Sequence, residues 1–143
     1  MTIQAILKDK GADVVAIDAA HKVAEAVRTM DKRQIGALVV TGNGEDCSGI
    51  FTERDVMRAL ARDGTHILEE PVSDHMTDRP QSILPSTSVE EAMEIMTDKR
   101  FRHLPVIENK TLCGIVSIGD LVNYRIHQTE REASALKEYI ATG

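Results

Sequence analysis

Aromatic residues are nearly missing from this chain: among 143 residues there is no tryptophan, and phenylalanine and tyrosine occur twice each. The core must therefore be built from Val, Ile, Leu, Ala and Met, and stacking platforms for single-stranded nucleic acid are not expected. Cysteine also occurs only twice, as Cys47 and Cys113, without a CxxC pair, which points to reduced thiols rather than a disulfide framework. Basic charge is not in excess. Lys and Arg number 17 against 23 Asp and Glu, a formal net charge of −6, so a general attraction to nucleic-acid phosphates is excluded. No apolar run approaches the roughly 18 residues of a membrane helix. The first twenty residues include Lys8, Asp9, Lys10, Asp13 and Asp18, which do not fit a secretory signal. A cytoplasmic protein that contacts neither membrane nor nucleic acid is expected. Catalytic signatures are lacking too: HExxH, GxSxG, the P-loop and GxGxxG do not occur. His21, His66, His75, His103 and His127 stand at no zinc-ligand spacing. With no nucleophile–base pair to be found, neither an enzyme nor a metal site is expected.

What the chain does have is a repeat. Val23, Ala26, Val27 and Met30 match Val89, Ala92, Met93 and Met96 in helical spacing. Each set runs on to an apolar segment, Ala37-Leu38-Val39-Val40 and His103-Leu104-Pro105-Val106-Ile107. Each then closes on a similar motif, Gly49-Ile50-Phe51-Thr52-Glu53-Arg54-Asp55 and Gly114-Ile115-Val116-Ser117-Ile118-Gly119-Asp120. Two copies imply a pseudo-symmetric body with equivalent clefts where the copies meet. Each half alone would be a marginal fold, so a shared core is expected.

Both copies read as β-α-β-β-α. In the first, strands are expected at 13–17, 37–41 and 49–51, with helices at 20–32 and 53–62. Val56, Ala59 and Leu60 would form the inward face of the second helix, and Asp18 is a candidate cap for the first. In the second, strands are expected at 81–84, 103–107 and 114–116, with helices at 89–99 and from about 119 to 140. Ser88 with Glu91 matches a capping box. The organisation that follows is a first repeat with its N-terminal segment at 1–67, a linker with a short helix at 68–80, a second repeat at 81–127 and a C-terminal helical extension at 128–143. The extension carries a narrow apolar stripe, Leu136, Tyr139 and Ile140, suited to another chain.

Thr52-x-x-Asp55 and Ser117-x-x-Asp120 each sit where a strand turns into a helix. Hydroxyl and carboxylate at that spacing cap a helix N-terminus reciprocally, and nothing more is needed to explain one such motif. The same place also offers free N–H groups and the positive helix end to a phosphate, while an Asp there can hold a ribose diol. In duplicate and in register, the ligand-binding reading stands level with the capping one.

These motifs, with Met76-Thr77-Asp78-Arg79-Pro80 between the repeats, resemble those of a tandem pair of CBS domains, the cystathionine-β-synthase-type regulatory module, over about residues 3–127. The resemblance implies a mixed α/β fold in which two pseudo-symmetric repeats pack through their sheets. It implies a non-catalytic protein that binds an adenosine ligand between the repeats: AMP first, with ADP, ATP, NAD(H) or S-adenosylmethionine as the others. It further implies a homodimer that signals ligand state to an unknown protein effector. Carried over position by position, Asp55 and Asp120 would hold ribose hydroxyls, with Thr52 and Ser117 beside them. Thr77 and Gln81 would face Asp55, while Lys10 and Val15 would face Asp120. The phosphate ends differ: Arg102 and His103 precede the second strand of repeat 2 where repeat 1 has Gly36 and Ala37, and Arg54 stands where repeat 2 has Gly119. Lys99-Arg100, like Lys32-Arg33, reads as a helix C-terminus, where cations are favoured. The alternatives are a ligand-free dimerisation scaffold and an S-adenosylmethionine sensor.

Overall fold

The computed structural model describes residues 1–11 and 13–142; Ala12, within the stretch assigned to the first repeat, and Gly143, at the end of the C-terminal extension, lie outside the described residues. In chain order the elements are α1 (Ile3–Lys10), β1 (Ala16–Asp18), α2 (Val23–Arg33), β2 (Ala37–Gly42), β3 (Glu45–Thr52), α3 (Glu53–Asp63), two 3₁₀ turns (Thr65–Glu69 and Val72–Asp74), β4 (Thr77–Asp78), α4 (Val89–Lys99), β5 (His103–Glu108), β6 (Thr111–Ser117) and α5 (Ile118–Thr142). The repeat is thus visible in the backbone. α2 buries Val23, Ala26 and Met30, and α4 buries Val89, Ala92 and Met96 at the same spacing.

The strands of each hairpin run longer than expected. The loops collapse to two residues, Asn43-Gly44 and Asn109-Lys110, all four with positive φ. Paired positive φ values are what a tight turn between right-twisted antiparallel strands requires. β2 pairs with β3 from Ala37↔Thr52 onward, and β5 with β6 from His103↔Ser117. Thr52 and Ser117 are therefore delivered to equivalent strand ends.

The first strands of the two halves differ. β1 lies parallel to β2 in a sheet of order β1-β2-β3-β4, and the Val39 amide donates to the Val15 carbonyl at 3.0 Å. In the second half the strand expected at 81–84 shrinks to one bridge, Ile83↔Val106. The reason is Pro105, which occupies the position of Val39. It accepts from the Ile83 amide (3.0 Å) but has no N–H to donate to Gln81, so the ladder stops there.

Buried residues form two clusters, one per half, in place of the single shared core expected. The surprise is who belongs to which. α1, not read as a helix from sequence, places Ile3, Ile6 and Leu7 in the cluster of Val89, Leu104 and Leu121. Ile67 and Val72, from the 3₁₀ turns, fill the corresponding places beside Val23 and Leu38. The segment that leads into each repeat thus packs on the other. It also caps the other's helix: the Val23 amide donates to the Glu70 carbonyl (2.9 Å) and the Val89 amide to the Met1 carbonyl (3.1 Å).

Three local expectations change accordingly. Asp18 does not cap α2; its carboxylate accepts from the Ala20 amide in the preceding turn, at 2.9 Å. Ser88 caps α4 through the Glu91 amide (3.0 Å), but the reciprocal half of the box does not form, since the chain from Met1 to Ile3 occupies that end. On α3, Ala59 is buried and Val56 partly so, but Leu60 is 37 % exposed.

Candidate functional site

Both helix-start motifs form complete reciprocal caps. The Asp55 amide donates to Thr52 Oγ1 (3.2 Å), and the Thr52 amide donates to Asp55 Oδ2 (3.0 Å). The Asp120 amide donates to Ser117 Oγ (3.1 Å), and the Ser117 amide to Asp120 Oδ2 (2.8 Å). The capping role is therefore real. It uses one oxygen of each carboxylate and leaves Oδ1 outside the cap, so capping and ligand binding do not compete for the same atom.

Each aspartate lines a cavity between the halves. The Asp55 cleft, about 280 Å³, gathers Thr52, Arg54, Asp55, Thr77, Gln81, Arg102 and His103 from the residues singled out by sequence. The Asp120 cleft, about 410 Å³, gathers Lys10, Val15, His103, Ser117 and Asp120. Gly119 lines neither cavity; it lies exposed on the first turn of α5. Gly36 and His103 line both clefts. Sequence alone did not point to Arg58 in the first cleft or to Asp13, Gln34 and Ile35 in the second, and Lys99-Arg100, expected chiefly as a helix C-terminus, also lines the first. Arg58 carried a usable signal, since it stands one helical turn beyond Arg54 on the same face of α3.

The two carboxylates differ electrostatically. Burial pushes Asp55 above the usual carboxylate range, against the opposing pull of the Thr52 hydrogen bonds, the Arg58 charge and the Thr77 hydroxyl. Burial pushes Asp120 upward as well, but the Lys10 ammonium and the Ser117 amide outweigh it and hold the group below that range. Lys10 Nζ sits 2.7 Å from Asp120 Oδ2 and 2.9 Å from the Ile115 carbonyl. Burial lowers His103 below its ordinary value, with Glu53 and Asp120 pulling the other way, so the imidazole is neutral at pH 7. Arg54 does not form the helix-surface ion pair that its position on α3 allowed. Its guanidinium donates to the Arg100 carbonyl across the cleft, at 3.1 Å.

Among the described residues no group of three or more His, Cys, Asp or Glu side chains is arranged to hold a metal, and no helix is long and apolar enough to cross a membrane. The family model for the CBS domain matches twice, at residues 8–62 and 72–127, and the chain belongs to the CBS-domain family as a pair of its modules. A CBS domain-containing protein of Arabidopsis thaliana, mitochondrial CBSX3, is 37 % identical over 150 residues, spanning 99 % of this chain and 73 % of that protein. The crystal structure of the CBS-domain containing protein ATU1752 from Agrobacterium tumefaciens superposes with a TM-score of 0.84 at 42 % identity, covering 87 % of this chain and 99 % of that one. The CBS-domain pair of protein MJ0100, solved in complex with 5′-methylthioadenosine and S-adenosyl-L-methionine, shares the fold at TM-score 0.75 and 19 % identity, covering 87 % and 98 %.

Proposed function

We propose that the chain is a regulatory module that binds an adenosine nucleotide between its repeats and passes ligand state to a partner protein. The observation that carries this reading is the duplicated geometry: an aspartate at a helix start, capped through Oδ2, beside a cavity that both repeats line. Asp55 and Asp120 hold ribose hydroxyls. Thr52 and Ser117 lie beside the ribose and phosphate. The Gln81 carbonyl, freed from strand pairing by Pro105, accepts from the adenine amino group in the Asp55 cleft. Aliphatic walls such as Val15 receive the base in the other. AMP, ADP, ATP and NAD(H) fit this chemistry, and S-adenosylmethionine is the alternative. The MJ0100 complex supports an adenosine ligand in this fold. A ligand bridging both repeats alters a partner only if it prefers one relative arrangement of them.

The working form is a homodimer in the cytoplasm. Met57 on α3 and Val122 on α5 are equivalent by the repeat and are 61 % and 40 % exposed, so one self-complementary contact covers both. The domain limits that best serve this reading are the two repeats at 1–67 and 81–127, exchanging their leading segments, with 128–143 as an added helix for the partner.

The complete capping boxes favour one other reading, a scaffold that needs no ligand. Thermal melting separates the two. AMP, ATP, NADH and S-adenosylmethionine are added in turn, and a ligand at 100 times its dissociation constant raises stability by about 2.7 kcal/mol. Absence of a shift with all four, with Asp55→Ala and Asp120→Ala melting lower by the same amount with and without ligand, would leave only the scaffold.

A further inference from the structure

The two clefts are related by the repeat but not by charge. Arg54, Arg58, Lys99, Arg100 and Arg102 line the Asp55 cleft against Glu53 and Asp55, so five cations less two carboxylates leave a surplus of three. The Asp120 cleft has Lys10 against Asp13 and Asp120, and Lys10 is already bonded to Asp120 at 2.7 Å. In a chain of net charge −6 this is a strong local concentration of positive charge. It is built where the halves meet: Arg54 and Arg58 come from α3, Lys99 from the end of α4, and Arg100 and Arg102 from the turn between α4 and β5.

The backbone of that turn sharpens the point. Arg100 holds a left-handed conformation (φ 59°), where glycine or asparagine is the ordinary choice. Arg54 pins it by donating to its carbonyl. The equivalent turn after α2 is also left-handed, at Gln34 (φ 55°), yet it brings no charge to the Asp120 cleft. The conformation therefore belongs to the helix end, whereas the guanidinium is specific to one cleft. Guanidinium forks match phosphate oxygens two at a time.

We propose that the Asp55 cleft reads phosphate number, selecting an adenosine ligand with two or more phosphates, while the Asp120 cleft is indifferent to that number. This rests on the adenosine reading above. A single phosphate brings at most about two negative charges and does not balance the surplus; a terminal diphosphate or triphosphate does, whereas the diester diphosphate of NADH carries about two charges, as AMP does, and matches the guanidinium forks by its number of phosphate groups alone. Arg54 acts as a positioning residue, because its guanidinium is committed to holding the turn that carries Arg100.

Isothermal titration of the full chain with adenosine, AMP, ADP, ATP and NADH tests this at low and at physiological salt. Affinity is expected to rise about tenfold per phosphate from AMP to ATP at low salt, and less steeply when the charges are screened. NADH tightening with ADP would show that the shared diphosphate is read; ADP and ATP tightening alone would show that a terminal phosphate is. Either outcome supports the proposal. Arg100→Gly removes the charge from a backbone that glycine adopts freely, so the phosphate series should flatten with no fall in melting temperature. Arg62→Gln, on the same helix as Arg58 but outside the cavity, should leave the series steep. A flat series in the wild-type chain, with adenosine and AMP still binding, overturns this inference and spares the adenosine reading. Binding of none of the five overturns both.

Discussion

Alanine at Gly49 and alanine at Gly114 occupy equivalent places in the repeat, yet the structure assigns them different penalties. A Cβ on Gly49 would lie 2.6 Å from Met76 Sδ and 2.8 Å from the Thr77 carbonyl oxygen. The sulfur can swing away, but the carbonyl is main chain, held where β4 pairs with β3 through Gly49↔Asp78 and Ile50↔Thr77. A Cβ on Gly114 would lie 2.8 Å from Leu7 Cδ2, the end of a side chain on α1 that can rotate. Overpacking costs about 1–3 kcal/mol, and replacing Gly by Ala returns about 0.4–1 kcal/mol by restricting the unfolded chain. The expected net loss is therefore about 2 kcal/mol for Gly49→Ala and close to zero for Gly114→Ala. For a chain of this size that corresponds to a drop of about 8 °C against one of about 2 °C or less. Because Thr77 lines the Asp55 cleft, Gly49→Ala should also weaken ligand binding there, whereas Gly114→Ala should not. Differential scanning fluorimetry with a nucleotide titration on each variant gives both readouts. Equal destabilisation of the two, or a neutral Gly49→Ala, would refute the exchange of segments on which this rests.

Asp55→Asn keeps an oxygen for the cap and removes a carboxylate that burial penalises, so its melting temperature should hold or rise slightly while ligand binding in that cleft weakens at least about tenfold; a large fall in melting temperature would contradict this. Asp120→Asn breaks a partly exposed bond to Lys10 (side chains 33 % and 25 % exposed) and should cost about 0.5–1 kcal/mol by chemical denaturation. The signs with pH follow. Asp120, held below its usual range, adds stability at neutral pH that disappears as pH falls through the acid range below about 4; Asp55, held above it, opposes folding at neutral pH and ceases to do so as acid protonates it. Urea titrations from pH 7 to 3 should therefore show a flatter acid limb for Asp120→Asn than for wild type. Thr52→Ala removes one cap acceptor and should cost about 1 kcal/mol, with Thr52→Ser restoring it.

Much of the fold was legible because the repeat repeats its physics. Apolar spacing fixed α2 and α4, and Gly49 and Gly114 marked equivalent strands. The single bridge at Ile83 was not legible, since it depends on Pro105 lacking an N–H at a place where only the three-dimensional ladder shows one is needed; the β4 pairing was not legible because it is only two residue pairs long, made with a strand distant in sequence. α1 was hidden for a different reason. Its apolar residues, Ile3, Ile6 and Leu7, make a short stripe whose partner lies in the other half, and a local pattern carries no record of a distant partner. Of the site, Thr52, Asp55, Thr77 and Gln81 come together around one cleft, and Lys10, Val15, Ser117 and Asp120 around the other. Arg58 and Arg100 escaped because a helix-surface arginine and a helix C-terminal arginine have ordinary explanations in sequence; only the cleft brings them to one place. Gly119 holds the place of Arg54 in the repeat, and without a side chain it brings nothing into a cavity.

The ribose diol is the part of the ligand that the aspartates are proposed to hold, so its removal is the most direct measurement. Titration of the wild-type chain with ADP and with 2′-deoxy-ADP should show the deoxy ligand binding at least about tenfold more weakly, the loss of a hydrogen bond to a charged group, and the double variant Asp55→Asn/Asp120→Asn should bring the two close together. Equal affinity for both in the wild-type chain would mean that neither carboxylate touches the 2′-hydroxyl, which contradicts the ribose-diol role given to the aspartates.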